Sequence, residues 1–105
     1  MEFVETPTFT RRLTRRLNDD EFRKLEDALC RRPDAGTLIP GGNGLRKLRW
    51  GIRGRGKRGG LRVIYYWFVQ ESRVYLLYLF AKNEAADISP EQLRVLQRLV
   101  EEEAK

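Results

Sequence analysis

The apolar residues change period along the chain, and each period points to an element. Phe9, Leu13 and Leu17 recur every four residues, which puts them on one stripe of a short helix. Phe22, Leu25 and Leu29 carry that spacing into a second helical segment. It opens at Asn18 as N-cap, with Glu21 at the capping-box position, and Pro33 closes it after Arg31-Arg32. Asp19, Asp20 and Glu21 suit the positive end of its dipole. Ahead of these, Met1–Glu5 reads as a short opening strand, broken by Thr6-Pro7-Thr8.

The middle of the chain switches to strand chemistry. Pro40-Gly41-Gly42-Asn43-Gly44 is a turn-rich connection into a strand over Leu45–Trp50. Gly51–Gly60 is too rich in glycine and charge to be expected as a regular element. Leu61–Val69, crowded with β-branched and aromatic residues, is the strongest strand. Gln70–Arg73 turns it back onto an antiparallel partner, Val74–Ala81. Ser89-Pro90-Glu91-Gln92 combines an N-cap, a proline at the first helical position and a capping-box residue. Leu93, Leu96, Leu99 and Val100 then give the last helix its buried stripe. The order β-α-α-β-β-β-α implies a single α+β domain over residues 1–105, an antiparallel sheet carrying two N-terminal helices and a C-terminal one.

Composition narrows the chemistry. At 105 residues and 12.4 kDa, with 41% hydrophobic residues, the chain can fill one modest core. No apolar run is long enough to span a bilayer, and MEFVETPTF lacks the basic start of a secretory leader, so a cytoplasmic protein is expected. The lone cysteine, Cys30, fits a reducing compartment and reads as a small packed residue late in a helix. With no histidine, a zinc site or a histidine base is excluded, and Lys, Arg, Tyr, Asp or Glu must carry any catalysis. No metal or other cofactor is expected.

Charge is the most directional signal. The net charge is +6, and between Asp34 and Glu71 there is no acidic residue, whereas Arg46, Lys47, Arg49, Arg53, Arg55, Lys57, Arg58 and Arg62 all lie inside that gap. One unneutralised basic stretch is the footprint of a polyanion ligand, although a loop made basic for solubility is the plain alternative. Two nucleotide motifs are near misses. Gly51 to Lys57 follows a phosphate-binding P-loop until Arg58 stands where Ser or Thr must hold magnesium. Gly54, Gly56 and Gly59 spell a dinucleotide fingerprint, but a strand and not a helix is expected after them. What remains is a glycine loop whose backbone can approach an RNA backbone closely, with Arg53, Arg55, Lys57 and Arg58 on it.

Gly56-Lys57-Arg58-Gly59-Gly60-Leu61-Arg62-Val63-Ile64-Tyr65-Tyr66, Gly44-Leu45-Arg46-Lys47-Leu48-Arg49 and Leu79-Phe80-Ala81-Lys82-Asn83-Glu84 together resemble toxins of the RelE/HigB type. The resemblance implies a ribosome-dependent endoribonuclease that cuts mRNA in the ribosomal A site. It also implies a cognate antitoxin, often of helix-turn-helix type, that neutralises it. Arg62 matches the arginine that opens the family's central strand. Lys57 and Arg58 lie where basic residues precede it, and Lys82 and Asn83 match the pair closing the next strand. Asn83 stands where the family often has arginine, and Asp87-Ile88 where many members place a tyrosine.

Metal-free RNA cleavage sends the neighbouring 2′-hydroxyl onto phosphorus, leaving a cyclic phosphate and a free 5′-hydroxyl. It needs a base, cations for the building charge and a proton donor. Arg62, always protonated, suits a bidentate phosphate clamp and is expected to face the ligand surface and not the helices. Cationic neighbours disfavour the charged form of a lysine, so Lys57, or else Lys82, is the candidate base. Tyr66 shares strand parity with Arg62 and could stack a base. Phe80 and Asn83, with Arg46, Lys47, Arg49, Arg53, Arg55 and Arg58, complete the expected RNA and ribosome contacts. Tyr65, Tyr66, Trp67 and Phe80 could equally be sheet packing, Trp50 reads as core, and Arg62 could be a cross-strand surface charge. Two other functions stay open: a gyrase inhibitor of the related ParE shape without nuclease activity, and a non-catalytic basic RNA-binding module.

Overall fold

In a computed structural model of the chain, the backbone is described for residues 1–52 and 56–104, and side chains for 1–51 and 60–104. The elements are β1 (Glu2–Glu5), α1 (Pro7–Arg16), α2 (Asp19–Arg31), β2 (Thr37–Leu38), β3 (Arg46–Ile52), β4 (Gly56–Phe68), β5 (Arg73–Ala81) and α3 (Pro90–Ala104). The helix starts follow the capping chemistry of the sequence. Asn18 accepts the Glu21 N–H at 2.8 Å while the Glu21 carboxylate accepts the Asn18 N–H at 2.9 Å. Ser89 and Gln92 make the same reciprocal pair before α3, at 3.1 and 2.9 Å.

The α+β class holds, and three details differ from expectation. The sheet, in order β1-β5-β4-β3-β2, is mixed, because β1 runs parallel to β5 while the other pairings are antiparallel. Side-chain period marks a strand but not the direction of its partner. The expected irregular segment 51–60 is largely strand, since β3 continues to Ile52 and β4 begins at Gly56. A hairpin ladder is made by backbone groups and can run on through glycine and charge. The two-residue β2 is too short to show any alternation. Among the described residues no helix is long and apolar enough to cross a membrane.

Helices cover both faces of the sheet. On one face Phe9, Leu13, Leu25 and Leu29 of the N-terminal helices, with Leu17 at the cap between them, pack on Leu61, Val63, Tyr65, Val74, Leu76 and Leu79. On the other, Leu96 of α3, with half-buried Leu93, Leu99 and Val100, packs on Leu45, Ile64, Phe68, Tyr75, Leu77 and Phe80. The pairing of β4 with β5 jumps from Ile64↔Tyr78 to Tyr65↔Leu76, so Leu77 is an extra residue on β5. This bulge puts Tyr75 and Leu77 on the α3 face below it, and Tyr78 and Phe80 on the same face above it. Thr6 locks the bulge: its hydroxyl donates to the Leu77 carbonyl at 2.8 Å and accepts the Phe9 N–H at 3.0 Å as the cap of α1. Cys30, expected to be packed, is exposed, because it lies about 100° around α2 from buried Leu29.

Candidate functional site

Arg62 sits in β4 between Arg49 of β3 and Phe80 of β5, its Cα partners in the ladder. Two pairs along, Lys47 stands opposite Ile64. Strand alternation puts Lys47, Arg49, Arg62 and Phe80 on the α3 face, past the end that α3 covers with Leu96. Arg62 is only 6% exposed, yet among the described residues no acid lies within ion-pair distance of its guanidinium. Among the described residues its guanidinium makes one hydrogen bond, from Nη1 to the Leu61 carbonyl, long at 3.4 Å. A buried cation without a partner carries a desolvation cost that an arriving anion relieves.

The acid nearest this cluster is Asp87, on the connection between β5 and α3. Its Oδ1 lies 3.1 Å from Lys47 Nζ and accepts the Ile88 N–H at 2.8 Å. Burial pushes the Asp87 carboxyl up, but the Ile88 N–H, Lys47 and the field of Arg62 together outweigh it and hold the group below the ordinary aspartate value. It is therefore a carboxylate at neutral pH.

A second acid fixes the start of the same connection. Glu84 accepts the Ala81 N–H at 2.8 Å and pairs with Arg12 at 2.6 Å and Arg16 at 2.7 Å, both from α1. The Ala81 N–H and Arg12 lower its pKa against a smaller opposing push from burial, with the Arg12 and Arg16 charges adding to the lowering. Arg12 also donates from Nε to the Leu79 carbonyl and lies over the Tyr78 ring, 5.0 Å from its centroid. Arg12, Tyr78, Phe80, Glu84, Asp87 and Gln92 line a shallow cavity of about 140 Å³ beside Arg62's strand partner. The turn between Glu84 and Ala81 presents Lys82 and Asn83 to solvent, and the Lys82 N–H reaches the Gly60 carbonyl at 3.3 Å, two residues before Arg62.

The candidates of the sequence thus divide. Lys47, Arg49, Arg62, Phe80, Lys82 and Asn83 converge on one end of the α3 face and the turn that borders it. Phe80 is 2% exposed, so its ring supports the site from beneath. Arg46 lies on the opposite face, donating to the Gly36 carbonyl at 2.8 Å and to that of Asp34 at 3.3 Å. Tyr66 is on the α3 face but four residues from Arg62, its ring 4.8 Å from that of Phe68 and against Gly44. Gly44 has φ +100°, and a Cβ there would meet the Tyr66 ring at 2.8 Å. Arg53 and Arg55 lie outside the described residues, as do the side chains of Lys57 and Arg58.

Sequence reasoning passed over Arg12, Glu84 and the role of Asp87. A signal existed for α1: Thr6 to Asn18 contains Arg11, Arg12, Arg15 and Arg16 and no acid. The ion pairs themselves join residues 40 and 72 apart, which no local pattern encodes.

Comparison with known proteins agrees with this architecture. The sequence model for a family described as the RelE toxin of the RelE / RelB toxin-antitoxin system matches residues 5–105. A chain from the crystal structure of the intact E. coli RelBE toxin-antitoxin complex superposes with a TM-score of 0.52 at 15% identity, over 74% of this chain and 92% of that one. At that identity the likeness speaks for the fold alone. The family match spans all but the first four residues and includes the converging cations of β3, β4 and the turn after β5, so the chain belongs to the RelE toxin family.

Proposed function

We propose that the protein is a ribosome-dependent endoribonuclease, which cuts mRNA in the ribosomal A site, stops translation, and is neutralised by a cognate antitoxin of helix-turn-helix type. The observation that carries this reading is Arg62, a buried guanidinium without an acidic partner among the described residues, flanked by Lys47 and Arg49 on an accessible end of the sheet. The neighbouring 2′-oxygen attacks phosphorus, its proton goes to a base, and the P–O5′ bond breaks as the 5′-oxygen takes up a proton. A 2′,3′-cyclic phosphate and a 5′-hydroxyl result. Arg62 clamps the scissile phosphate with its two-donor fork, and Lys57 or Lys82 serves as base. Lys47, Arg49 and Arg58 hold flanking phosphates, and Arg53, Arg55 and Asn83 extend the contact to RNA and ribosome. The reaction runs in the cytoplasm, where the ribosomes are, and an antitoxin with acidic and apolar side chains covers the cationic face.

The test is mRNA cleavage on purified ribosomes by wild type, Arg62→Ala and Arg62→Lys. Because the clamp tightens as charge builds on phosphate, Arg62→Ala lowers turnover about a hundred- to a thousand-fold and changes binding far less. Arg62→Lys recovers only part, since an ammonium cannot reproduce the planar fork. A folded Arg62→Ala that cleaves at the wild-type rate would falsify the assigned role. A wild type that cleaves neither free nor ribosome-bound mRNA points to gyrase inhibition or to simple RNA binding.

A further inference from the structure

The Lys47–Arg62 cluster already holds an anion, and it belongs to the chain itself. Asp87 reaches across from the connection between β5 and α3 and sets its carboxylate 3.1 Å from Lys47. It does so within the field of Arg62, which has no acidic partner of its own among the described residues. The acid-free stretch 35–70 contributes no carboxylate to this face, so the neutralising charge comes from a loop. The Asp87 side chain is 57% exposed and outside any regular element, so it can swing away at little cost in packing. Glu84 is held more firmly, by two arginines as well as the Ala81 N–H, whereas Asp87 has Lys47 and the Ile88 N–H beside it.

We infer that Lys47 and Arg62 form a phosphate subsite which the Asp87 carboxylate occupies in the free protein and which a phosphodiester must take over by displacing it. The inference deepens the proposed function, with an RNA phosphate as the ligand, and it rests on that reading for the ligand's identity. The pairing has two consequences. Asp87 keeps the two cations from gathering unrelated anions, and it makes the first phosphate contact a charge exchange, in which one carboxylate leaves as one phosphate enters. Removing an acid beside the active site therefore strengthens anion binding.

The experiment uses two probes that the protein cannot cleave, inorganic pyrophosphate and a 2′-O-methyl RNA oligonucleotide, titrated calorimetrically into wild type, Asp87→Asn, Lys47→Gln and the double variant. Asparagine keeps the oxygen that accepts the Ile88 N–H, so the turn is preserved. Asp87→Ser serves if thermal melts show that the asparagine variant is unfolded. Asp87→Asn binds both probes on the order of ten-fold tighter at low salt, and the gain fades as salt rises. In the Lys47→Gln background the gain shrinks, because one of the two cations in the exchange is gone. Unchanged or weaker binding by Asp87→Asn, or a full gain without Lys47, overturns the inference. Pyrophosphate needs no ribosome: a gain in a protein that cleaves no mRNA leaves the subsite standing and removes the nuclease, whereas cleavage without a gain removes only the displaced carboxylate.

Discussion

The two faces of the sheet are built from alternate residues of the same strands, yet they do opposite things. Under α1 and α2 the face is closed: Leu61, Val63 and Tyr65 of β4 are fully buried against Phe9, Leu25 and Leu29. The Tyr65 hydroxyl is satisfied there, donating to the Pro33 carbonyl at 2.6 Å and accepting the Gly36 N–H at 2.9 Å. Under α3 only half the face is apolar. Lys47 stands opposite Ile64, Arg62 and Arg49 lie beyond it, and among the described residues no helix stripe meets them. Alternation lets one strand serve both purposes, with stability placed on the closed face and charge on the open end of the other. A buried Arg62 costs folding energy that its leucine and valine neighbours supply from the reverse side.

The sharpest way to break this division is to injure the closed face and read both stability and cleavage. Leu25 is 0% exposed at the centre of the α2 contact. Leu25→Ala leaves a cavity and costs about 2–5 kcal/mol, read as a lower denaturant midpoint. Cleavage per folded molecule stays at the wild-type level, in contrast to Arg62→Ala, which loses turnover and keeps its fold. A Leu25→Ala protein that melts normally but cleaves poorly would mean that the two faces are not separable.

This division also decides what could be read from the sequence. Apolar period identified the helices and the central hairpin, because burial of a stripe is what forms them, and the caps at Asn18 and Ser89 are local contacts three residues long. The cations of the site were legible as a run without acids. Its anions were not. Asp87 and Glu84 act through partners brought close only by the fold, and each looks locally like an ordinary polar residue before a helix. Strand parity was a partial guide: it placed Arg62 and Tyr66 on one face, but the separation along the strand leaves Tyr66 with Phe68 and Gly44. Arg46 fell on the other face by the same rule, and the bulge at Leu77 broke the parity of β5.

A smaller effect is expected where the closed face meets its loop. Tyr65→Phe keeps the ring and removes the hydroxyl, leaving the Gly36 N–H and the Pro33 carbonyl without that partner. The loss is about 1–3 kcal/mol. Burial raises the Tyr65 pKa despite the Gly36 N–H, so the neutral hydroxyl is the working form at physiological pH. Hydrogen exchange at the Gly36 amide is the direct readout and should speed up, while exchange in α3 on the opposite face is unaffected. Faster exchange in both would show that the loop and α3 open together.

The smallest effect concerns the Glu84 clasp, which ties α1 to the turn bordering the open end. The Glu84 carboxyl titrates below the ordinary 4.5, chiefly through the Ala81 N–H and then Arg12. A group whose folded value is depressed binds its proton more readily when unfolded. The stability it contributes is therefore complete above pH 4.5 and is lost as pH falls through the lower folded value. Glu84→Gln retains a carbonyl for the Ala81 N–H and removes the charge facing Arg12 and Arg16. At pH 7 the variant should melt slightly below wild type, by less than about 1 kcal/mol, as suits pairs a third exposed to solvent. The melting gap should close as pH falls below 4.5, because wild-type Glu84 becomes neutral there as well. Other carboxyls titrate in the same window, Asp87 downward and Glu26 upward from their ordinary values, but both occur in each protein and cancel in the difference. Paired melts from pH 7 to pH 3 at low salt measure it. A gap that persists unchanged at pH 3 would mean that the clasp works by packing of the Arg12 and Arg16 side chains and not by charge.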